Sequence, residues 1–398
     1  MLQLSFINCR PGSYILIEGK EENSRFYIIQ SGKVQVSREV EVVKEEGGNI
    51  LNAGDFIGVV SCMSGHSQIE TAVALTDATL ISVRKDQYSE LIQKNGPIAM
   101  KIILSFARKM RYLNEALTML TLKNTTVSSP EMIFTIAEYY EKAGKPSLAF
   151  FSYYQYLREC PQGEFVSQAR NRFVALKYKS SAVYLEPSAD LTRIYPKDTM
   201  IFSEFQTGQD MFIIQEGQVK ITKVVNNNEV ILAVLKKGDF FGEMALLENK
   251  PRSASAIAHE SCTLMTVNRK NFEQMVKTQP QLIARLTTTL SERIWGMYKQ
   301  LANTLISDPV GKLFDMLAIQ MEKSKVQIAP GVSYTFDIGP LELANMCGIP
   351  KINQSNSLIP FLKDNRIKLR GERIYVTDTS EIMKQAVFFR NRKKERKK

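Results

Sequence analysis

This 398-residue chain has very few histidines and no closely spaced cysteines. It has only two histidines, His66 and His259, and its five cysteines include no C-x-x-C pair. Zinc, haem and iron–sulfur sites need such ligands at suitable spacings, and disulfide scaffolds need many cysteines in a short chain. The sequence therefore argues against all four, and we expect both histidines to be ordinary loop or strand residues.

Long apolar runs are also missing. No run approaches the roughly 20 residues of a membrane span. The first ten residues lack the basic segment and apolar stretch of a secretory signal, so we expect a cytoplasmic protein. A nucleophile–histidine pair, paired acids in a cleft motif and a Walker loop are absent too, so we predict no catalytic residues and no enzyme.

Positive charge is present in excess, with a formal net charge of +11. Residues 306–398 hold 17 Lys and Arg against 10 Asp and Glu, a net charge of +7. This asymmetry predicts a polyanionic partner for the last quarter of the chain, with nucleic acid as the first candidate.

Two segments of the chain are similar to each other. The run F-Y-I-I-Q-S-G-K-V-Q-V-S from Phe26 matches the run M-F-I-I-Q-E-G-Q-V-K-I-T from Met211, and Gly54-Asp-Phe-Ile-Gly matches Gly238-Asp-Phe-Phe-Gly. Short β-branched and aromatic runs alternate with polar residues in both segments, punctuated by glycine. The pattern is typical of an antiparallel sandwich or jelly roll, so we predict two of them.

An amphipathic helix is predicted at the end of each repeat. In the second repeat, apolar residues recur at three- and four-residue steps: Ile283, Leu286, Leu290, Ile294, Met297, Leu301 and Leu305. The stripe has two interpretations, packing on its own sandwich or pairing with a second chain. Because it is longer than one small sandwich could cover, we expect a homodimer.

A helical insert separates the repeats, over roughly residues 129–179. Its apolar and small residues occupy the spacing of one 34-residue tetratricopeptide repeat: Ile133, Ile136, Ala137, Tyr140, Ala149, Tyr153 and Pro161. We predict two antiparallel helices ending at Pro161 and a third helix over residues 164–179, packed on its neighbours. The insert is either a protein-binding surface or a rigid spacer.

The segment from Phe240 to Ser255 reads F-F-G-E-M-A-L-L-E-N-K-P-R-S-A-S. Its carboxylate suits hydroxyl donors and its guanidinium suits a phosphate, which together predict a nucleotide pocket. It closely resembles the phosphate-binding cassette of cyclic-nucleotide-binding domains, and the resemblance implies that Glu243 receives the ribose 2′-hydroxyl and Arg252 pairs with the cyclic phosphate. A surface salt bridge between these two residues is the alternative interpretation. The predicted site comprises Phe241, Gly242, Glu243, Met244, Ala245, Arg252, Ser253, Ala254 and Tyr298.

The same cassette in the first repeat has lost this chemistry. Gly58 corresponds to Gly242, but the residues matching Glu243, Arg252, Ser253 and Ala254 are Val59, Gln68, Ile69 and Glu70. A carboxylate at the phosphate position repels a phosphate, and the segment holds no cation to offset it. We therefore expect no cyclic nucleotide in the first repeat.

The base is less well defined by the sequence. In the bacterial activators of the resembled family, a Thr-Ser pair on the long helix contacts the purine, and Met297 and Tyr298 occupy those positions here. Tyr298 can hydrogen-bond to a base or stack on it. Cyclic AMP is the expected ligand, with cyclic GMP or another nucleotide left open.

The last quarter has the pattern of a winged helix-turn-helix. Pro340 and Pro350 each open a helix around a turn at Gly348, and Ile367–Val376 forms a two-stranded wing with Gly371 at its tip. This layout resembles the C-terminal end of CRP/FNR regulators, although Ile352 replaces their recognition-helix glutamate and Pro360 should kink or end the helix. The predicted DNA contacts are Lys351, Asn353, Gln354, Asn356, Ser357, Lys368, Arg370 and Arg373, with a basic tail after them.

The sequence thus predicts an α+β multidomain protein. Its parts are a degenerate jelly roll (1–124), the helical insert (125–182), a nucleotide-binding jelly roll with a long dimerisation helix (183–306), a winged helix-turn-helix (307–384) and the tail (385–398). The expected function is a cyclic-nucleotide-responsive transcription regulator that binds DNA. The alternatives are a nucleotide-sensing adaptor that binds a protein through the degenerate domain and the insert, and a constitutive DNA-binding protein with structural sandwiches.

Overall fold

The structure is a computed structural model that describes residues 4–38, 48–122, 129–186, 188–225 and 228–395, apart from the side chains of residues 121, 122, 351 and 392–395. The chain divides into two compact units. One comprises Met1–Tyr88, Tyr112–Lys123 and Leu290–Lys398, and the other comprises Ser89–Arg111 and Asn124–Thr289. Among the described residues, no helix is both long enough and apolar enough to cross a membrane.

The first repeat folds as a β-sandwich of two four-stranded antiparallel sheets, the first sandwich. Its strands are β1 (Ser5–Cys9), β2 (Tyr14–Leu16), β3 (Arg25–Ser31), β4 (Val34–Ser37), β5 (Ile50–Leu51), β6 (Phe56–Ile57), β7 (Thr71–Ala74) and β8 (Ala78–Arg84). The sheet orders are β1-β8-β3-β6 and β2-β7-β4-β5. Helices α1 (Val59–Ser64), α2 (Tyr88–Lys94) and α3 (Gly96–Leu122) complete the repeat.

The second repeat reproduces this design as the second sandwich. Its strands are β9 (Thr192–Tyr195), β10 (Met200–Phe202), β11 (Asp210–Glu216), β12 (Val219–Val225), β13 (Asn228–Leu235), β14 (Phe240–Phe241), β15 (Ser255–Ala258) and β16 (Cys262–Asn268). Its helices are α7 (Glu243–Glu248), α8 (Arg269–Thr278) and α9 (Pro280–Thr304). The sheet orders are β14-β11-β16-β9 and β10-β15-β12-β13.

The two sandwiches share even an irregularity of strand pairing. The β3–β8 register shifts between Ile29 and Ser31, and the β11–β16 register shifts between Ile214 and Glu216. The predicted duplication of an antiparallel sandwich is confirmed.

The insert consists of three helices, α4 (Met132–Lys142), α5 (Pro146–Glu159) and α6 (Val166–Leu176), as predicted. Its apolar face packs against Met200 and Ile257 of the second sandwich, which confirms that the insert uses a neighbour to bury its core. Polar contacts fix the same interface, since Glu229 accepts hydrogen bonds from Tyr140 (3.2 Å) and from Lys145 (2.8 Å).

The apolar stripe of α9 is mostly covered within a single chain. Ile283, Leu286, Leu290 and Ile294 are each exposed by 1% or less, whereas Met297 and Leu305 near the end of the helix are only partly buried. Most of the stripe therefore needs no second chain to bury it, and the homodimer stays a prediction.

The C-terminal region holds helices α10 (Pro309–Lys323), α11 (Pro340–Met346), α12 (Lys351–Leu362) and α13 (Thr379–Glu395) with strands β17 (Tyr334–Thr335), β18 (Ile367–Arg370) and β19 (Arg373–Val376). Asp308 caps α10 by accepting from the N–H groups of Val310 and Gly311. Pro360 lies in the last turn of α12, which ends two residues later. The predicted tail begins inside α13, where Arg390 pairs with Asp315 of α10 at 2.5 Å.

Candidate nucleotide-binding site

The turn that opens the second cassette (residues 242–254) depends on a glycine. Strand β14 ends at Phe241, and Gly242 then adopts a φ of 78° as the residue before α7. Only glycine adopts this left-handed conformation without strain. The first cassette (residues 58–70) builds the same turn, with Gly58 at a φ of 75° before α1. Both cassettes therefore open with the same backbone turn, and their side chains distinguish them.

Arg252 is the central charged group of the second cassette. Its side chain is buried, its Nη1 donates to the carbonyl oxygen of Gly242 at 2.7 Å, and its guanidinium carbon lies 4.2 Å from the ring centroid of Phe202. The guanidinium is thus held over an aromatic ring beside the turn.

The hydrogen bonding of Arg252 is incomplete. Its Nε is buried and has no acceptor among the described residues. Burial lowers the pKa of Arg252 to about 10, against the opposing effect of Asp210 and Glu243. A buried guanidinium N–H without an acceptor is unfavourable, and an anion placed there would relieve that penalty.

Glu243 lies in the first turn of α7 and is only 2% exposed. Because Glu243 and Arg252 are both buried, their presence does not fit a surface salt bridge. Of the other predicted site residues, Phe241, Met244, Ala245 and Ala254 are buried, and the Ser253 hydroxyl lies 3.6 Å from the sulfur of Met244. These cassette residues lie at the end of β14, on α7 and in the segment between α7 and β15.

Gly208 is a further residue of this site, and the sequence analysis missed it. A Cβ at Gly208 would lie 2.5 Å from Nη2 of Arg252. Gly208 precedes β11, 44 residues before Arg252, so no local pattern links them. Only the absence of a side chain at Gly208 lets the guanidinium occupy its position.

In the first cassette an amide occupies the place of the guanidinium. Gln68 is 2% exposed and donates to the carbonyl oxygen of Glu22. Glu70, the carboxylate at the phosphate position, is not left unbalanced, because Arg38 from the end of β4 pairs with it at 3.0 Å. The cassette segment itself lacks a cation, as predicted, but the fold supplies one from a neighbouring strand.

Tyr298, the predicted base contact, has a different neighbour. The Arg38 guanidinium lies over the Tyr298 ring, 4.5 Å from its centroid. The structure thus places Tyr298 beside the first cassette, and its role toward a base stays a prediction.

Helix α12 presents only part of its predicted polar set. Asn353 and Asn356 are exposed, whereas Gln354 and Ser357 are 7% and 4% exposed. Gln354 donates to Asn345 and to the carbonyl oxygen of Ile349, and Ser357 donates to the carbonyl oxygen of Asn353. The expectation that Gln354 and Ser357 project outward is wrong, because both satisfy their hydrogen bonds inside the fold. The Lys351 side chain lies outside the described residues.

The predicted wing residues are exposed. Lys368 and Arg370 lie on β18 and Arg373 lies on β19. Arg370 stacks on Tyr375 with its guanidinium carbon 3.6 Å from the ring centroid, and Arg373 pairs with Asp337 at 3.0 Å. These cations remain at the surface, where they can meet a polyanion.

Comparison with known families agrees with the duplication. The family described as the cyclic nucleotide-binding domain matches residues 6–95 and again residues 192–279. The matched stretches begin in β1 and β9 and end directly after α2 and α8.

Known regulators are similar to part of the chain. A CRP-like cAMP-activated global transcriptional regulator of Mycobacterium tuberculosis is 22% identical over 193 residues, which is 48% of this chain and 86% of the relative. The cyclic AMP receptor protein of Thermus thermophilus is 26% identical over 184 residues, 44% of this chain and 79% of the relative. The crystal structure of the Thermus thermophilus catabolite activator protein aligns at 24% identity over 50% of this chain and 90% of that one, with a TM-score of 0.29.

Proposed function

We propose that this chain, which contains two cyclic nucleotide-binding domains and is homologous to CRP-family regulators, is a cyclic-nucleotide-responsive transcription regulator that binds DNA. The nucleotide binds in the second sandwich and controls the placement of a C-terminal winged helix-turn-helix. Cyclic AMP is the expected ligand, because the relatives named above are cyclic AMP-activated regulators or receptors, and cyclic GMP is the alternative. No metal takes part.

The observation that carries the proposal is the buried, incompletely bonded guanidinium of Arg252. It lies beside Glu243 in a turn whose counterpart in the first repeat has an amide instead of the cation. A cyclic phosphate would complete the hydrogen bonds of Arg252, and a ribose hydroxyl would donate to Glu243. Only the second sandwich offers this pair, so one nucleotide binds per chain.

Nucleotide binding then acts on DNA binding through α9, which runs as one helix from Pro280 to the start of the C-terminal region. We expect the nucleotide to order residues 281–305 and to position two winged helices of a homodimer on a palindromic site. The test is filter binding of mixed genomic DNA fragments across salt, with and without saturating cyclic AMP. DNA affinity that is indifferent to the nucleotide in a protein that binds it would overturn the regulatory step, and light scattering checks the dimer.

A second function has support from α12. Ile352 is 87% exposed and Ile359 is 54% exposed on this helix, while two of its predicted base-reading side chains are buried. A helix with exposed apolar residues and few exposed polar side chains is poorly suited to base edges. In this alternative α12 no longer reads DNA, and the chain is a nucleotide-sensing adaptor that binds a protein partner with the degenerate domain and the insert. The same filter assay would then show no salt-dependent DNA binding.

A further inference from the structure

The first cassette is in contact with another part of its own chain. The His66 ring stacks on the Trp295 indole of α9, with ring centroids 4.1 Å apart and planes inclined by 21°. One turn further along α9, Tyr298 lies against Arg38, which holds Glu70. A third contact comes from the loop after α10, where the Lys325 ammonium donates to the carbonyl oxygen of Ser64 at 3.2 Å. Two elements of the chain thus converge on the cassette that has lost its nucleotide chemistry.

The stack is fully enclosed. Trp295 is 1% exposed and His66 is 7% exposed. Lys299 lies 5.0 Å from the Trp295 ring centroid and pairs with Glu322 of α10 at 3.0 Å, so a charge pair covers the indole. Stacking of aromatic rings is favourable beyond the area that the rings bury.

The same end of α9 is tied to the C-terminal region. Gln300 donates to the carbonyl oxygen of Met346, the last residue of α11, at 3.0 Å. Asn303 donates to the carbonyl oxygen of Lys312 and to the carboxylate of Asp315, both on α10. The first cassette therefore contacts a helix end that is bonded to α10 and α11, which lead into the predicted DNA-reading helix.

The helices α3 and α9 make their cassette contacts from equivalent positions of the two repeats. Gly54 and Gly238 are 184 residues apart, and the same offset places Arg111 of α3 at the position of Trp295 in α9. Arg111 pairs with Glu248 at 2.5 Å and donates to the carbonyl oxygen of Pro251, both in the second cassette. Each cassette is thus contacted, at one equivalent position, by the helix of the other repeat.

We propose that the first cassette has exchanged a nucleotide for a segment of its own chain. In the α9 clamp, formed by Arg38, Ser64, His66 and Glu70 with Trp295, Tyr298 and Lys325, the degenerate sandwich holds the end of α9 and thereby sets the position of the C-terminal region. The proposal also has a regulatory part, in which a nucleotide at the second sandwich changes the strength of the clamp. This part rests on the proposed function. The indole Nε1 of Trp295 is buried without an acceptor among the described residues, so release would regain its hydration.

The test uses the fact that Trp295 is the single tryptophan of the chain. In the full-length protein, His66→Ala removes the stacking partner, so we expect red-shifted tryptophan emission, stronger quenching by acrylamide, and roughly tenfold faster amide exchange in residues 290–304. His66→Phe keeps an aromatic face and should retain the wild-type values. The matched control is His259→Ala, which removes the other histidine, an exposed residue of the second sandwich. Unchanged quenching and exchange in His66→Ala would overturn the clamp.

Addition of cyclic AMP tests the regulatory part of the clamp. If calorimetry shows binding, we expect cyclic AMP to change the acrylamide quenching of Trp295 in the wild type and to change it at least fivefold less in His66→Ala. Binding without any change at Trp295 would overturn the regulatory part of the clamp. If calorimetry shows no binding, the proposed function fails, and the comparison of His66→Ala with His259→Ala still decides whether the clamp exists.

Discussion

At the residue scale, Arg252 combines two properties that conflict in a purely structural side chain. It is buried, and its Nε lacks an acceptor among the described residues. Replacing a buried, incompletely bonded charge by an apolar side chain of similar volume is often neutral or stabilising, whereas removing a ligand contact weakens binding. The two roles can therefore be separated by measuring stability and affinity on one variant.

We predict that Arg252→Met, which keeps most of the side-chain volume, lowers the affinity for cyclic AMP by roughly 10- to 100-fold, since a hydrogen bond to a charged group contributes about 1.5–3 kcal/mol. The melting temperature of the nucleotide-free protein should fall little or rise. Calorimetry and thermal melting check the two parts. A large loss of stability with unchanged affinity would show that Arg252 is structural.

Gly208 gives a second prediction. Its missing side chain makes room for the Arg252 guanidinium, because a Cβ there would lie 2.5 Å from Nη2. Gly208→Ala should displace the guanidinium and lower the affinity for cyclic AMP by about tenfold or more. In the Arg252→Ala background the same substitution should have no further effect on affinity, and additive losses in this double-mutant cycle would contradict the steric explanation.

The lowered pKa of His66 leads us to expect that the stability of the His66–Trp295 stack depends on pH. Burial is the main cause that lowers its pKa from 6.5 to about 4, with Lys325, Lys299 and Lys85 acting in the same direction and Glu322 opposing them. The folded state therefore binds fewer protons than the unfolded state between these values, and stability falls as pH decreases from about 6.5 toward 4. We expect Trp295 quenching by acrylamide to rise over this range in the wild type. The rise should disappear in His66→Phe, and a rise of equal size there would assign it to other groups.

At the element scale, most helices and strands follow from sequence patterns. The two sandwiches were predicted from alternating runs and paired glycines, and helices α4, α5, α11 and α12 from apolar spacing and from Pro161, Pro340 and Pro350. Burial of a polar residue was harder to predict. Gln354 has the composition of a base-reading residue, but it bonds to Asn345 and Ile349 because the turn between α11 and α12 brings these acceptors to it.

Helix α12 therefore gives a prediction with an internal control. If it reads DNA, Asn353→Ala combined with Asn356→Ala should weaken DNA binding by about tenfold without changing the melting temperature, because both side chains are exposed. Gln354→Ala should instead destabilise the protein by about 1–3 kcal/mol, because it leaves buried partners unsatisfied. Filter binding and thermal melting distinguish the two. Unaltered DNA binding in the asparagine pair would favour the adaptor.

At the scale of the whole molecule, local patterns predicted the parts but not which parts meet. The cassette sequence predicted Glu243 and Arg252, and the repeat identified the first cassette as degenerate. Neither could indicate that Arg38 would balance Glu70 or that Trp295 would stack on His66, because these partners are 32 and 229 residues apart in the chain. The stripe of α9 predicted a buried helix face, and an apolar pattern does not specify whether its own chain or a second chain covers it.

The duplication also gives the whole chain two similar sandwiches with different chemistry. One retains the acid and the cation of a nucleotide site, and the other has an amide, an internal ion pair and a stacked histidine in the corresponding turn. We infer that the second sandwich senses the nucleotide and the first holds the helix that responds to it.

The stoichiometry of cyclic AMP binding tests this central claim most directly. Titration of cyclic AMP into the full-length chain by calorimetry should show one nucleotide per chain, and Arg252→Ala should weaken that single event. Two nucleotides per chain would contradict the loss of function in the first cassette, and no binding of either cyclic AMP or cyclic GMP would contradict the proposed site in the second.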